Sequence, residues 1–195
     1  MKIVIVSGSM RAESQSLKIS KWLSESCREM DVASEVVDLH EAKIGLFDNG
    51  ETEYPDADEI MRKLDDCDGA VFVSPEWNGM MSHGIVNLQH FLNKELAHKP
   101  VMLVGVSATR GGNYPVMQMR VMGYKNNHYI ISPEALVVQG VQNMFNSHNP
   151  EPGSGDEQLQ ARAIYALKNL FEYAKALKQV RDSGVVNFED FKNGV

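Results

Sequence analysis

Two kinds of apolar segment alternate along the chain. Short β-branched runs lie at residues 2–6, 34–39, 69–74, 101–107 and 135–138. Runs of that length without polar alternation read as strands buried on both faces. Between them the apolar positions recur at helical spacing: Ile19, Trp22, Leu23, Cys27 and Met30 within 16–30, and Ile60, Met61, Leu64 and Cys67 after Pro55. The same holds for Ile85, Leu88, Phe91, Leu92 and Leu96 within 84–96. A short helix is expected to begin near Pro115, where proline suits a first turn, and a long one to span 156–180. Five strands separated by helices make βαβ units, and right-handed crossovers place helices on both faces of a parallel sheet. The pattern therefore predicts a doubly wound α/β domain over residues 1–183, followed by a tail at 184–195.

The breaks in the pattern are as informative as the runs. Residues 40–54 contain Gly45 and Asn49-Gly50 among several acids and read as a long exposed connection; 143–156, with Pro150, Pro152 and two glycines, reads as a loop. In doubly wound sheets ligands bind beyond the carboxyl ends of the strands. Ser7, Ser74 and Ser107 occupy those ends, so the loops 7–16, 74–82 and 107–113 should converge on one crevice.

The first of these loops, Ser7-Gly8-Ser9-Met10-Arg11-Ala12-Glu13-Ser14-Gln15-Ser16, combines hydroxyls, a guanidinium and the amides that lead into a helix. A helix N-terminus carries unpaired N–H groups and partial positive charge, so the loop suits a terminal phosphate. It lacks the three glycines of a dinucleotide fingerprint and the lysine of a P-loop. The same residues would equally serve as a turn and a helix cap, with Ser14 or Ser16 capping. The second loop, Pro75-Glu76-Trp77-Asn78-Gly79, offers an aromatic plane, an amide and backbone N–H groups able to bracket a flat heteroaromatic ring.

These segments, together with Asn87 on the following helix and Gly111-Gly112, resemble the NADPH-dependent FMN reductase family of flavodoxin-like proteins, with its related quinone, azo and chromate reductases. The resemblance runs from Lys2 to about Val180. It implies a flavodoxin-like sheet and an FMN whose phosphate sits on Ser9, Arg11, Ser14, Gln15 and Ser16. The isoalloxazine would lie against Pro75, Glu76, Trp77, Asn78 and Gly79, with Ser107, Gly111 and Gly112 closing the other side. Trp77 stands where tyrosine is common and Ser16 where asparagine is common. Ser82, Val86 and His90 replace a usual proline, lysine and aspartate that shape the subunit interface in relatives.

The implied activity is an NAD(P)H oxidoreductase that passes hydride from NADPH or NADH to bound FMN and on to free flavin, a quinone or a similar small-molecule acceptor. No side-chain nucleophile or essential catalytic acid is required, since the cofactor carries the chemistry. Backbone amides of 76–79 would offset charge on the reduced ring. His83 is the one candidate proton donor near it, set against a packing or solvent role. The contrasting function is an FMN-binding electron carrier that never meets nicotinamide. The resemblance also implies a homodimer or homotetramer.

Composition narrows this further. A net charge of −7 with mixed signs argues against nucleic acid or an anionic membrane surface as partner. Cys27 and Cys67 fall on apolar helix positions and read as reduced core thiols, and the histidines show no metal-ligand spacing with them. The N-terminus runs straight into a strand, so a soluble cytoplasmic protein is expected.

Overall fold

The computed structural model describes residues 1–123 and 125–194. Its chain order is β1 (Lys2–Ser7), α1 (Gln15–Glu29), β2 (Ala33–Asp38), α2 (Pro55–Asp65), β3 (Gly69–Pro75), α3 (His83–Phe91), β4 (Pro100–Val106), α4 (Asn113–Val121), β5 (Ile130–Val138) and α5 (Gly155–Asp182), with a single 3₁₀ turn at Val141–Asn143. All four strand pairings are parallel, in the order β2-β1-β3-β4-β5. The order reverses between β1 and β3, and there the loops after these two strands diverge to leave a crevice.

Period-two side-chain alternation divides the strands between two cores. Val4, Val6, Phe72, Val101 and Leu103 face α2, α3 and α4, where they meet Ile60, Leu64, Ile85, Leu88 and Met119. Ile3, Ile5, Val71, Val73, Met102 and Val104 face α1 and α5, against Ile19, Leu23, Leu167, Leu170 and Phe171. β1, β3 and β4 are buried almost throughout, which is why they appear in sequence as unbroken apolar runs.

Two elements depart from the periodicity. The helix expected over 84–96 ends at Phe91, because Leu92 adopts extended backbone (φ −61°, ψ 135°). The Asn93 amide turns instead to the Glu95 carboxylate at 2.6 Å. Leu92 and Leu96 are buried all the same, so their spacing records burial within a turn. β5 begins at Ile130, five residues before the expected start at 135, and its register against β4 shifts between Val101 and Leu103. Pro133 lies in that stretch; it has no N–H to donate, and such a residue is tolerated here because β5 is an edge strand. The described residues of the tail beyond Ser183 carry no helix or strand, and the Phe188 ring packs against His98 and His128 with the Lys94 ammonium 4.5 Å from its centroid.

Candidate functional site

At the carboxyl ends of β1, β3 and β4 lies a cavity of about 410 Å³ lined by Ser9, Arg11, Ala12, Glu13, Ser14, Gln15, Ser16, Pro75, Glu76, Trp77, Val106, Ala108, Val141 and Gln142. Loops far apart in sequence thus share one site of the size small cofactors occupy.

The loop over 7–16 is built from the backbone outward. Gly8 donates its N–H to the Val73 carbonyl at 2.8 Å, and a side chain there would run into Ile85 and that same carbonyl, so glycine lets the loop leave β1 tight against β3 and α3. Ser14 is the N-cap of α1 and accepts from the Leu17 amide at 3.1 Å. The cap reading is therefore correct for Ser14. Capping leaves the first-turn amides of Gln15 and Ser16 without acceptors among the described residues. Ser16 is buried, and its Oγ and the Gln15 Oε1 are buried polar atoms with no partner among the described residues. Orphaned polar groups of this kind cost free energy unless something outside the chain satisfies them. Arg11 is exposed at the rim, and its own amide donates to Ser9 Oγ at 3.3 Å.

The ring loop is organised differently from the expectation. Trp77 and Met80 exchange backbone hydrogen bonds of 3.0 and 2.9 Å, and the two residues between them, Asn78 and Gly79, both have positive φ (52° and 71°). That is a two-residue hairpin turn of the Asn-Gly type, a signal present in the sequence and missed there. Asn78 and Gly79 do not line the cavity; the turn's geometry accounts for them. The Glu76 and Trp77 amides are already committed to the Val106 and Met80 carbonyls, which leaves Asn78 and Gly79 as the amides of the loop without acceptors among the described residues.

Glu76 lines the cavity, but its carboxylate turns to the start of α4, accepting from the Gly112 amide at 2.5 Å and the Tyr114 amide at 3.3 Å. Ser107 Oγ accepts from the amides of Thr109 and Gly111 at 3.2 and 3.1 Å. Ser107, Gly111 and Gly112 are not among the lining residues: they shape the loop that Glu76 braces. His83 is exposed at the first position of α3, its ring centroid 6.2 Å from that of Trp77, and it does not line the cavity.

Sequence reasoning missed Ser82, noted there only as a replacement for proline. Its Oγ donates to the Gly8 carbonyl at 2.5 Å and accepts from the Ile85 amide, while its own amide donates to Ser74 Oγ at 2.9 Å. One N-cap serine thus ties the cradle, the end of β3 and α3 together, a role proline could not fill with a donor. Asn87 likewise faces away from the cavity, donating to the Gly45 carbonyl and accepting from the Phe47 amide, and so pins the long connection after β2.

Burial pushes the Cys27 thiol up to about 12 and the Cys67 thiol to about 11, so neither is a nucleophile at neutral pH. No cluster of three His, Cys, Asp or Glu side chains is placed to hold a metal among the described residues, and no described helix is long and apolar enough to cross a membrane.

Residues 1–143 match the family of NADPH-dependent FMN reductases. An FMN-dependent NADPH-azoreductase of Staphylococcus aureus is 28% identical over 130 residues, covering 63% of this chain and 69% of that protein. Among solved structures, RosB with a bound 8-demethyl-8-formylriboflavin-5'-phosphate intermediate superimposes with a TM-score of 0.70 at 14% identity, over 92% of this chain and 81% of that one. The flavoenzyme NAD(P)H:(acceptor) oxidoreductase FerB from Paracoccus denitrificans does so with a TM-score of 0.63 at 14% identity, over 91% and 97%. At such identities the superpositions speak for the fold. The sequence match over most of the chain goes further: this protein belongs to the NADPH-dependent FMN reductase family and is an FMN-dependent NAD(P)H oxidoreductase.

Proposed function

We propose that the cavity at the β1/β3 crevice holds FMN with its phosphate in the 9–16 cradle and its ring toward Pro75–Trp77, and that the enzyme reduces quinones, azo compounds or free flavin at the open side of the ring. The observation that carries this is the orphaned buried hydroxyl of Ser16, beside two uncommitted first-turn amides and an Arg11 with no ion pair among the described residues. A hydroxyl, amides and a guanidinium are donors of the kind a phosphate monoester dianion requires.

The chemistry supplied by bound FMN is acceptance of hydride from the nicotinamide and delivery of two electrons to an acceptor; the residues bind, orient and shield. The cradle fixes one end of the cofactor. Pro75 and Trp77 supply an apolar wall, and Val106 and Ala108 line the cavity from the β4 side. Of the ionisable side chains that line the cavity, Arg11 stays protonated and Glu76 is committed to α4, so in this reading protons for the acceptor come from solvent.

The enzyme acts as a homodimer or homotetramer in this reading. Tyr114, Met117 and Val121 are exposed at i, i+3 and i+7 on α4, and Met80 and Met122 are exposed as well. This stripe adjoins the ring loop, since the Tyr114 ring lies next to Gly79. A second copy covering it would close the open side of the ring pocket. Two buried free thiols and a nicotinamide-fed reaction suit the reducing cytoplasm.

Steady-state turnover of the FMN-loaded protein with NADPH and with NADH, against a benzoquinone, an azo dye and free FMN, tests the assignment. Reduction of at least one acceptor class well above the rate with free FMN alone is expected. Binding of FMN without any nicotinamide-driven turnover would return the protein to the electron-carrier reading.

A further inference from the structure

Val141 and Gln142 line the cavity, yet they belong to a segment with no strand to support it. Gly140 and Phe145 both have φ of 57°, and only one 3₁₀ turn separates them. The ends of the segment are held: the Val141 amide donates to the Ser107 carbonyl at 3.2 Å, and the Phe145 amide to Asp156 at 2.8 Å. Further on, Gln160 donates to the Ser147 carbonyl at 2.8 Å, and the His148 ring stacks on Trp22 at 4.8 Å and meets Glu25 at 2.9 Å. Between those anchors, the hydrogen bonds from the segment to α1 come from one side chain. Lys18 Nζ donates to the Val141 carbonyl at 2.7 Å, the Met144 carbonyl at 2.8 Å and Asn146 Oδ1 at 2.8 Å, which uses all three ammonium donors.

Lys18 sits one turn beyond Ser14, whose carbonyl accepts from the Lys18 amide at 3.1 Å, so its stem rises from the same helix whose first turn forms the cradle. Its ammonium is partly desolvated there, and burial lowers its pKa. An ammonium held by three convergent oxygens is a rigid fixture rather than a solvated surface charge.

We propose that Lys18 is a positioning residue for the cofactor: it clamps residues 141–146 onto α1, holds the cavity wall at a fixed distance from the phosphate cradle, and thereby sets the residence time of FMN. This rests on the cradle reading above. Lys18 does not itself line the cavity, and its side chain reaches the lining through Val141.

The test compares FMN dissociation, followed by the return of free-flavin fluorescence on dilution, in wild-type holoprotein and in Lys18→Met, Asn146→Ala and Arg11→Ala. Lys18→Met should release FMN about tenfold to a hundredfold faster, the scale of a lost set of charged hydrogen bonds. Asn146→Ala, which removes one exposed acceptor, should release it about twofold to fivefold faster. Amide exchange in apo Lys18→Met should rise within 141–148 and stay unchanged in the core of α1. Unchanged release in both clamp variants, with Arg11→Ala releasing faster, overturns the clamp and leaves the cradle standing. Exchange that rises throughout α1 also overturns it, because the lysine would then be supporting the helix as a whole. If Arg11→Ala releases FMN no faster than wild type, the cradle reading fails independently of the clamp. Should Lys18→Met not fold, the Asn146→Ala rate decides alone.

Discussion

Glu76 is the sharpest place to test how the site is braced. Its carboxylate is the cap of α4 supplied from another loop: the N-cap residue itself, Gly112, has φ 102° and no side chain to offer, while Glu76 accepts from the Gly112 and Tyr114 amides. A hydrogen bond to a charged acceptor contributes about 1.5–3 kcal/mol, a neutral one about 0.5–1.5, and a carboxylate at a helix N-terminus adds about 0.3–1 kcal/mol through the helix dipole. Glu76→Gln keeps an acceptor and loses the charge, so it should cost about 1–2 kcal/mol. Glu76→Ala loses both; counting only the Gly112 bond, because the Tyr114 bond is long and exposed, it should cost about 2–4 kcal/mol. In a domain of this size each kcal/mol lowers the thermal midpoint by about 2–4 °C, so the two variants should separate clearly in calorimetry of the apo protein. The reasoning is refuted if Glu76→Ala is as stable as wild type, or if Glu76→Gln is the more damaging of the two.

Other expectations are simpler to state. Gly105→Ala should cost about 3 kcal/mol or more, or abolish folding, because the new methyl would land on the Gly112 carbonyl and displace backbone; near-native urea stability would contradict the packing described. Both thiols and the Tyr129 hydroxyl, itself pushed up to about 12 by burial, favour their neutral forms in the fold. Their contribution is present below the unfolded thiol value of 9.0 and is lost as pH climbs toward 11–12, so unfolding free energy should fall above pH 9 and native Cys27 should resist iodoacetamide until the chain unfolds. Met117→Asp, placed in the middle of the exposed α4 stripe, should shift sedimentation toward the monomer; an unchanged assembly would place the subunit interface elsewhere.

The sheet was legible because its strands are buried on both faces, and burial of that kind writes uninterrupted apolar runs. From the strand ends alone, convergence of the 7–16 and 74–82 loops followed, and Ser9, Arg11, Ser14, Gln15, Ser16, Pro75, Glu76 and Trp77 do line one cavity. What escaped was the difference between a residue that lines the cavity and one that shapes the loop behind it. Asn78 and Gly79 answer to a hairpin turn, Gly111 and Gly112 to a tight approach and a helix start, and Ser107 to two loop amides. Those roles depend on partners distant in sequence, as does the Ser82 bond to Gly8, and periodicity carries no trace of them. The last turns of the expected 84–96 helix were misread for a related reason: Leu92 and Leu96 are buried at helical spacing, but a competing side-chain bond from Glu95 turns the chain first.

The central claim is that the 9–16 cradle binds the phosphate end of the flavin and does little else. Titrating the apo protein with FMN and with riboflavin, which lacks only the phosphate, measures this in one experiment. Losing two or three charged hydrogen bonds should weaken riboflavin about a hundredfold or more relative to FMN in the wild type, and Arg11→Ala should close much of that gap by weakening FMN alone. Equal affinity for the two flavins, or an Arg11→Ala variant that loses riboflavin as severely as FMN, would contradict the account.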